Sequence, residues 1–504
     1  MNNSSYNIML KIAGTSAIVL LVSASCSLLS HLNFHYAIFA YLCAFAVVIG
    51  AIFFTYFIIV NLHSSNPIRV DQLSPDTPEV AIIIPIYNED INLLKVTLDS
   101  VIQQDYPLDK IKLFIANDAH REDIATLITV VQSAYPQLSC YHILPPPKSS
   151  PARQGEGKAG ALNAAWQEVY HRFPQIEYIE TRDCDDCVGD SQFLRKCMTY
   201  LIDEPTVGLV QTYKETKLID ESDPFDTQEV FLQSYVLPGK ITLGGVFSLG
   251  SGVVYRQQAL VDAGGFDAWN IVEDVTTTVH ILQKGWTSQA LDVVGVSTQA
   301  PVNDLENFLK QRSVWSLDAL RLVFFADLSG LSLKQRLAFC TKGIKELLYP
   351  TSVFLFNVTI AISLIVGEPM FLSVPPITFM AIAFIALFEL SVLKGNVVFA
   401  WKHKTLEFAL LFANLKMIWV AIVNGKDKKP KYIVTRKTAQ HQSYLRYCRW
   451  HIVLLILLFI GILRVSISGT IPEHSILFAA AIYWSIRILD VLGLALYQPR
   501  YLQS

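Results

Sequence analysis

Apolar runs long enough to cross a bilayer stand at both ends of this 504-residue sequence and nowhere in its middle. About 20 consecutive apolar residues span hydrocarbon as a helix, and that demand leaves few architectures open. Two runs come first, about Ile8 to Leu29 and Ala37 to Leu62. After a polar centre of nearly 290 residues come about Leu347 to Val366, Pro375 to Leu393, His451 to Ile467 and Ile476 to Tyr497. Composition agrees, since 52% of the residues are hydrophobic and 16% charged, outside the usual range of soluble domains. A further apolar stretch, about Leu406 to Val423, is opened by Glu407 and interrupted by Lys416, so it is expected to lie in the interface. The expected plan is two transmembrane helices over 1–65, an α/β domain over 66–300, amphipathic interfacial helices over 301–346 and a transmembrane bundle over 347–504. That bundle includes an interfacial helix at 403–424 and a basic loop at 425–449.

The loops orient the chain. His31 to Tyr36, Gly367 to Val374 and Ser468 to His474 hold no Lys or Arg, whereas Lys426 to Arg449 is dense with both. By the positive-inside rule both termini, the central domain and the basic loop are expected in the cytoplasm, with six spans crossing the plasma (inner) membrane. Ser23-Ala24-Ser25-Cys26 loosely resembles a lipoprotein signal, but its apolar run is long and a second follows at once, so an anchor is expected. Eight scattered cysteines do not suggest disulfides. Cys184-x-x-Cys187 has no second pair and encloses two aspartates, which argues against zinc. Membrane lipids are expected partners and nucleic acid is not; accessory subunits and oligomeric state are not legible.

The central domain alternates strand, polar loop and helix. Glu79 to Tyr87 is a continuous apolar run, as of a strand buried on both faces. Asn88-Glu89-Asp90 follows, and Leu93 to Ile102 has apolar residues at helical spacing. Lys112 to Ala116 reads as a strand ending in Asn117-Asp118, and Glu122 to Ala134 as a helix. A loop rich in Pro, Ser and Gly, Pro145 to Gly157, delivers Lys158 to the start of a helix running to about Arg172. Tyr178-Ile179 then ends in acid at Asp183, Asp185 and Asp186, before a helix at Gln192 to Ile202 and a buried strand at Val207 to Thr212. This alternation argues a parallel α/β sheet.

Three of these strands end in carboxylates, and in open α/β sheets ligands bind beyond the carboxyl ends of strands. Asp183 and Asp185 there suit a hard divalent cation, which in turn binds diphosphate oxygens; taken alone, the triplet also reads as a solvated turn. Acids repeated at one sheet edge favour the ligand. Lys158 at a helix start is an anion site or a solvated lysine. Gly250-Ser251-Gly252 lets a backbone come close to a ligand. Glu273-Asp274 opens a helix, Val275 to Gln283, where acids pair with the helix dipole and one can serve as a general base.

Taken in order, Tyr87-Asn88-Glu89, Asp118, Lys158 to Asn163, Asp183-Cys-Asp185, Gln211-Thr212, Gly250-Ser-Gly252, Glu273-Asp274 and Gln311-Arg-Ser-Val-Trp315 resemble the processive, membrane-embedded family 2 glycosyltransferases. That group holds the cellulose, hyaluronan, chitin and curdlan synthases. The resemblance implies a GT-A type α/β domain, with a mixed, mostly parallel sheet, inserted between membrane helices. It implies nucleotide contacts from Tyr87, Glu89, Asp118, Lys158 and Asp183, and a Mg2+ or Mn2+ ion on Asp183 and Asp185. Asp274, with Glu273, would be the base, and Gln311, Arg312 and Trp315 the acceptor platform. Tyr432-Ile-Val-Thr-Arg-Lys437 is similar to the gating loop of cellulose synthases, with Tyr432, Val434, Thr435 and Lys437 at its pattern positions. A cyclic-dinucleotide regulatory domain, which would need roughly a hundred further residues, a small domain's length, is not expected.

Two positions depart from that pattern. Val314 stands where the family places an arginine against the diphosphate, a charge left to Arg312, Lys310 or Arg436 and Lys437, and Arg182 precedes the first acid where an apolar residue is usual. Arg182 is expected to pair with Glu180 or Asp186. The implied activity is inverting transfer from a UDP-sugar, glucose first, to a growing β-glucan-like polysaccharide, coupled to its secretion. Transfer to a lipid carrier or membrane lipid is the alternative, which Val314 favours. Glu389, Arg464, Arg487 and Asp490 in or near the spans are expected either to line a pathway or to snorkel.

Overall fold

The structure, a computed structural model, describes residues 65–218, 222–368, 397–430 and 443–497, with scattered positions between 16 and 48. The runs Ile8 to Leu29, Ala37 to Leu62 and Pro375 to Leu393 lie wholly or largely outside these. So do Glu389 and the loop residues Tyr432, Val434, Thr435 and Lys437.

Eight strands form one sheet: β1 (Val80–Ile86), β2 (Ile111–Asn117), β3 (Ser139–Ile143), β4 (Tyr178–Thr181), β5 (Asp186–Val188), β6 (Val207–Thr216), β7 (Val253–Arg256) and β8 (Thr287–Thr298). Their order is β3-β2-β1-β4-β7-β6-β8-β5. Four of the strand pairs are parallel, β1 with β2, β1 with β4, β2 with β3 and β6 with β8. The other three are antiparallel, so the sheet is mixed.

The apolar run of β1 buries both faces. Ile82 and Ile84 join one core with Leu94 and Leu98 of α1 (Ile91–Gln103) and Ile128 of α2 (Glu122–Ala134). Ala81 and Ile83 join another with Leu162 and Ala165 of α3 (Gly157–Arg172). Each such isoleucine contributes on the order of 2 kcal/mol by leaving water. Register then aligns the strand ends, with Ile86 opposite Asn117 and Ile83 opposite Thr181. The loops after β1, β2 and β4 therefore leave from one edge.

Around the sheet lie α4 (Phe193–Asp203), α5 (Leu237–Thr242), α6 (Gln257–Ala263) and α7 (Glu273–Gln283). Two elements escape the apolar pattern. β3 reads Ser-Cys-Tyr-His-Ile, and β8 interleaves polar and apolar residues over 12 positions. Cross-strand neighbours hold them rather than their own hydrophobicity.

The membrane-side helices are α8 (Leu305–Phe325), α9 (Leu333–Val366), α10 (Val397–Ala409), α11 (Leu411–Asn424), α12 (Arg449–Ser468) and α13 (Ser475–Leu496). Among the described residues three helices are long and apolar enough to cross a membrane, α9, α12 with the turn before it, and α13. A fourth exists if α10 and α11 count as one span.

Two helices differ from expectation. The span expected from Leu347 starts roughly four turns earlier, because a capping box between Ser332 and Gln335 nucleates α9 at Leu333. The stretch Leu406 to Val423, expected as one helix, is two that meet at 46°. At the break His451 Nε2 donates to the Phe408 carbonyl at 3.0 Å.

Of the charged span residues, Arg487 is buried between helices over the Trp401 ring, 3.7 Å from its centroid, and donates to Thr405. Trp401 Nε1 donates to Asp490, and Arg464 to the Val366 carbonyl.

Candidate active site

One cavity of about 1270 Å³ opens at the sheet edge and runs in among the membrane-side helices. All eleven described site residues expected from the sequence line it: Tyr87, Glu89, Asp118, Lys158, Asp183, Asp185, Glu273, Asp274, Gln311, Arg312 and Trp315. Residues more than two hundred positions apart in the chain thus share one space.

At the end formed by the loops after β1 and β2, Glu89 accepts from the Tyr87 amide at 2.8 Å, and the Lys148 ammonium stands over the Tyr87 ring. Asp118 is fixed by the first turn after β2, where its amide donates to the Ile86 carbonyl. A residue the sequence did not single out, Arg153, grips Asp118 through both Nη atoms at 2.6 and 3.1 Å. Both side chains are almost fully buried. Such two-pronged pairs fix orientation as well as charge.

Beyond β4 the acids meet two lysines. Lys158 Nζ lies 2.6 Å from Asp183 Oδ1, 3.6 Å from Glu273 Oε1, and donates to the Gly250 carbonyl at 2.9 Å. Lys214, also unexpected from the sequence, stands 2.9 Å from Asp186 and 3.7 Å from Asp183. Burial, the largest single influence, pushes the Lys158 ammonium down, but Asp183, Glu273 and Asp274 outweigh it and hold it well above its ordinary range. The same contest over Lys214 is won by Asp186, Asp183 and Asp185, again upward. Both lysines therefore carry full charge. Arg182 pairs with Glu180 at 2.5 Å, both wholly buried, and donates to the backbone carbonyl of Asp186. Its charge is spent on holding the loop, not in the cavity.

Gly250 is the hinge of this convergence. Its φ of +79° is open to glycine at little cost. A Cβ there would sit 3.0 Å from Lys158 Nζ and 3.2 Å from Asp274 Oδ2. Asp274 opens α7 and accepts from the Val275 amide at 2.6 Å. Burial first, then Glu273 and Asp318, raise its carboxyl well above the ordinary range, against the pull of Lys158. Asp318 of α8 accepts from the Ile271 and Val272 amides just upstream, and burial pushes it up to about 7.

The donor atoms fit a hard cation. Asp183 and Asp185 offer carboxylate oxygens, the ligands Mg2+ and Mn2+ take. A lysine ammonium already sits against Asp183, so positive charge is favoured at that spot. Among the described residues no third His, Cys, Asp or Glu completes a three-residue metal site. Such ions normally fill their remaining positions with substrate phosphates and water.

At the far end Gln311, Arg312 and Trp315 project from α8 into the cavity. The Arg312 guanidinium lies 4.4 Å from the indole centroid of Trp315 and 3.5 Å from Glu229. Val314 packs with Ile271, Leu317 and Leu320 in an apolar cluster.

A mixed sheet with acids gathered at its carboxyl edge is the plan of the GT-A-like glycosyltransferases. A mannosyltransferase from Pyrobaculum calidifontis, solved in complex with GDP-Man and Mn2+, shares this fold. The match has a TM-score of 0.55 at 18% identity, covering 75% of this chain and 99% of that one. The profile of glycosyl transferase family 21 matches residues 42–402, and the chain belongs to that family.

Curated relatives are cellulose synthases. Cellulose synthase 2 of Novacetimonas hansenii is 23% identical over 432 residues, 81% of this chain and 25% of the relative. The cellulose synthase 1 catalytic subunit of Komagataeibacter xylinus is 26% identical over 304 residues, 57% of this chain and 37% of the relative. The chain thus spans a quarter to little more than a third of the length of these relatives. The expected family 2-type, cellulose synthase-like kinship is borne out.

Proposed function

We propose that this glycosyltransferase moves a sugar from a UDP-sugar, UDP-glucose first, to an acceptor hydroxyl with inversion at the anomeric carbon. The observation that carries the reading is the convergence of Asp118, Lys158, Asp183, Asp185 and Asp274 on one cavity. Asp118, held by Arg153, and the loop of Tyr87 and Glu89 take the nucleoside. Lys158 and Lys214 face the diphosphate, supplying the charge that Val314 does not. A Mg2+ or Mn2+ ion on Asp183 and Asp185 would neutralise charge developing on the departing UDP. Asp274, made more basic by burial and then by Glu273 and Asp318, takes the acceptor proton in its charged form.

The acceptor is a growing polysaccharide in the reading that follows the cellulose synthase relatives, with Trp315 as platform and the loop around Tyr432 to Lys437 closing over the nucleotide. In that reading six spans carry the product outward across the inner membrane, with the catalytic domain and both termini cytoplasmic. A membrane lipid is the second acceptor reading. Val314 in its apolar cluster favours it, as do Phe308, Val353, Leu406 and Leu410 in a lining they share with Lys345, Glu346 and Glu407.

Asp274→Asn in the reconstituted full chain tests the core of this proposal. General bases contribute roughly 10²- to 10⁴-fold, so transfer should fall by that factor while UDP still binds. Full turnover in the variant would remove Asp274 from the role.

A further inference from the structure

The short strap 267–272 that delivers Glu273 and Asp274 to the cavity is held from outside. Val272 stands at the cap position of α7, where its side chain has no acceptor to offer the helix start. The acceptor comes from α8 instead. Asp318 Oδ1 takes the Ile271 amide at 3.1 Å and the Val272 amide at 3.0 Å. The Asp318 backbone carbonyl takes Asn270 Nδ2 at 3.2 Å, and the Asn270 amide donates to Asp267 at 2.9 Å. One turn further along α8, Arg321 donates to Asn270 Oδ1 at 3.3 Å and lies over the Trp269 ring. Trp269, Asn270, Ile271 and Val272 are thus pinned in a row by Asp318 and Arg321.

Hydrogen bonding alone does not call for an acid here. Asp318 is buried, and a neutral amide oxygen would accept the same two N–H groups without the cost of a buried charge. What the carboxylate adds is its charge. Facing it are Lys342 of α9, Asp267 of the strap, Arg321 on its own helix, Lys429 of the basic loop and Asp274 of α7. That lysine also stands over Trp315, 5.2 Å from the ring centroid. Asp274 in turn faces Glu273, Asp318, Lys158 and Tyr255 of β7. After burial and Glu273, Asp318 is the group that makes Asp274 more basic.

We propose that Asp318 is a positioning residue, acting on the reaction only through Asp274: it fixes the strap from which α7 starts and sets a negative charge beside the base. The inference rests on the glycosyl-transfer reading with Asp274 as base. Trp315 and Asp318 lie about one turn apart on α8, so the helix that would carry the acceptor also aims the group that deprotonates it.

The test uses the full chain in phosphatidylcholine vesicles with UDP-glucose and Mn2+, a cello-oligosaccharide and diacylglycerol as acceptors, and released UDP as the readout. Asp318→Ala removes both the acceptor oxygen and the charge. A base displaced by about 1 Å costs roughly a hundredfold, so kcat should fall by about that factor while UDP affinity and acceptor KM hold. Asp318→Asn keeps an acceptor oxygen and should recover most of the loss, while the acid limb of its pH–rate profile moves to lower pH. In a chain already carrying Asp274→Asn, adding Asp318→Ala should cost no further rate, as for residues that act as a unit. Undiminished kcat in Asp318→Ala, or a further loss on top of Asp274→Asn, overturns the positioning role and leaves glycosyl transfer standing. An unmoved acid limb in Asp318→Asn does the same, and that arm decides alone if Asp318→Ala no longer binds UDP. A wild-type chain that binds no UDP and releases none overturns both readings.

Discussion

The two ends of the cavity are built by different means. At the sheet edge the acids hang on short side chains from strand ends and a helix start, and the backbone sets them. Asp183 is placed by the hydrogen bond its amide donates to the Ser251 hydroxyl, Asp118 by the one its amide donates to the Ile86 carbonyl, and Asp274 by the first turn of α7. At the helical end Arg312, Trp315 and Lys342 reach in from α8 and α9 on long side chains. The first end is tuned to one geometry by fixed charge pairs; the second accommodates. Substitutions should therefore cost far more at the sheet edge than among the helices.

The largest effect is expected at Asp185. Asp185→Asn removes a proposed metal ligand, worth several kcal/mol of charge stabilisation, so the transfer rate should drop roughly a thousandfold and added Mn2+ should not restore it. Next comes Gly250→Ala, whose methyl would press on Lys158 and Asp274 at a left-handed φ. A displacement near 1 Å costs roughly a hundredfold in rate, and steady-state kinetics should show it in kcat. Trp315→Ala should be mildest, raising the acceptor KM up to about tenfold with UDP affinity kept. If Trp315→Ala proved costlier than Gly250→Ala, the contrast between the two ends would fail.

A pH profile sharpens the same contrast. Asp274 must be charged to act as base, and burial, Glu273 and Asp318 raise its pKa. Rate should thus fall with decreasing pH at a point above the ordinary aspartate value of about 3.9. Glu273→Gln removes one of the raising charges, so the acid limb should move to lower pH. Trp315→Ala should leave the limb in place.

Much of the sheet edge was legible in the sequence because its signals are local. An unbroken apolar run ending in Asn88-Glu89 or Asn117-Asp118 is a buried strand meeting the cavity, and the helix Glu122–Ala134 has the limits its spacing predicts. β3 and β8 were not legible, since their stability comes from pairing with β2 and β6 rather than from periodicity. Arg153 sits in a Pro- and Gly-rich loop and Lys214 late in a strand, where each reads as an ordinary surface cation. Only the fold brings them to Asp118 and Asp183. Trp315 stands out in the sequence by its motif, and it lines the cavity. The lysine over its ring comes from the next helix, 27 residues along, a distance no local pattern bridges.

The account rests on acids from separate strands forming one metal-dependent nucleotide site. Calorimetric titration of UDP into the full chain, with Mn2+ and then with a chelator, tests this most directly. Binding that needs Mn2+ in the wild type and is lost in an Asp183→Asn, Asp185→Asn double variant is the predicted result. UDP affinity indifferent to both the metal and those two carboxylates would contradict it.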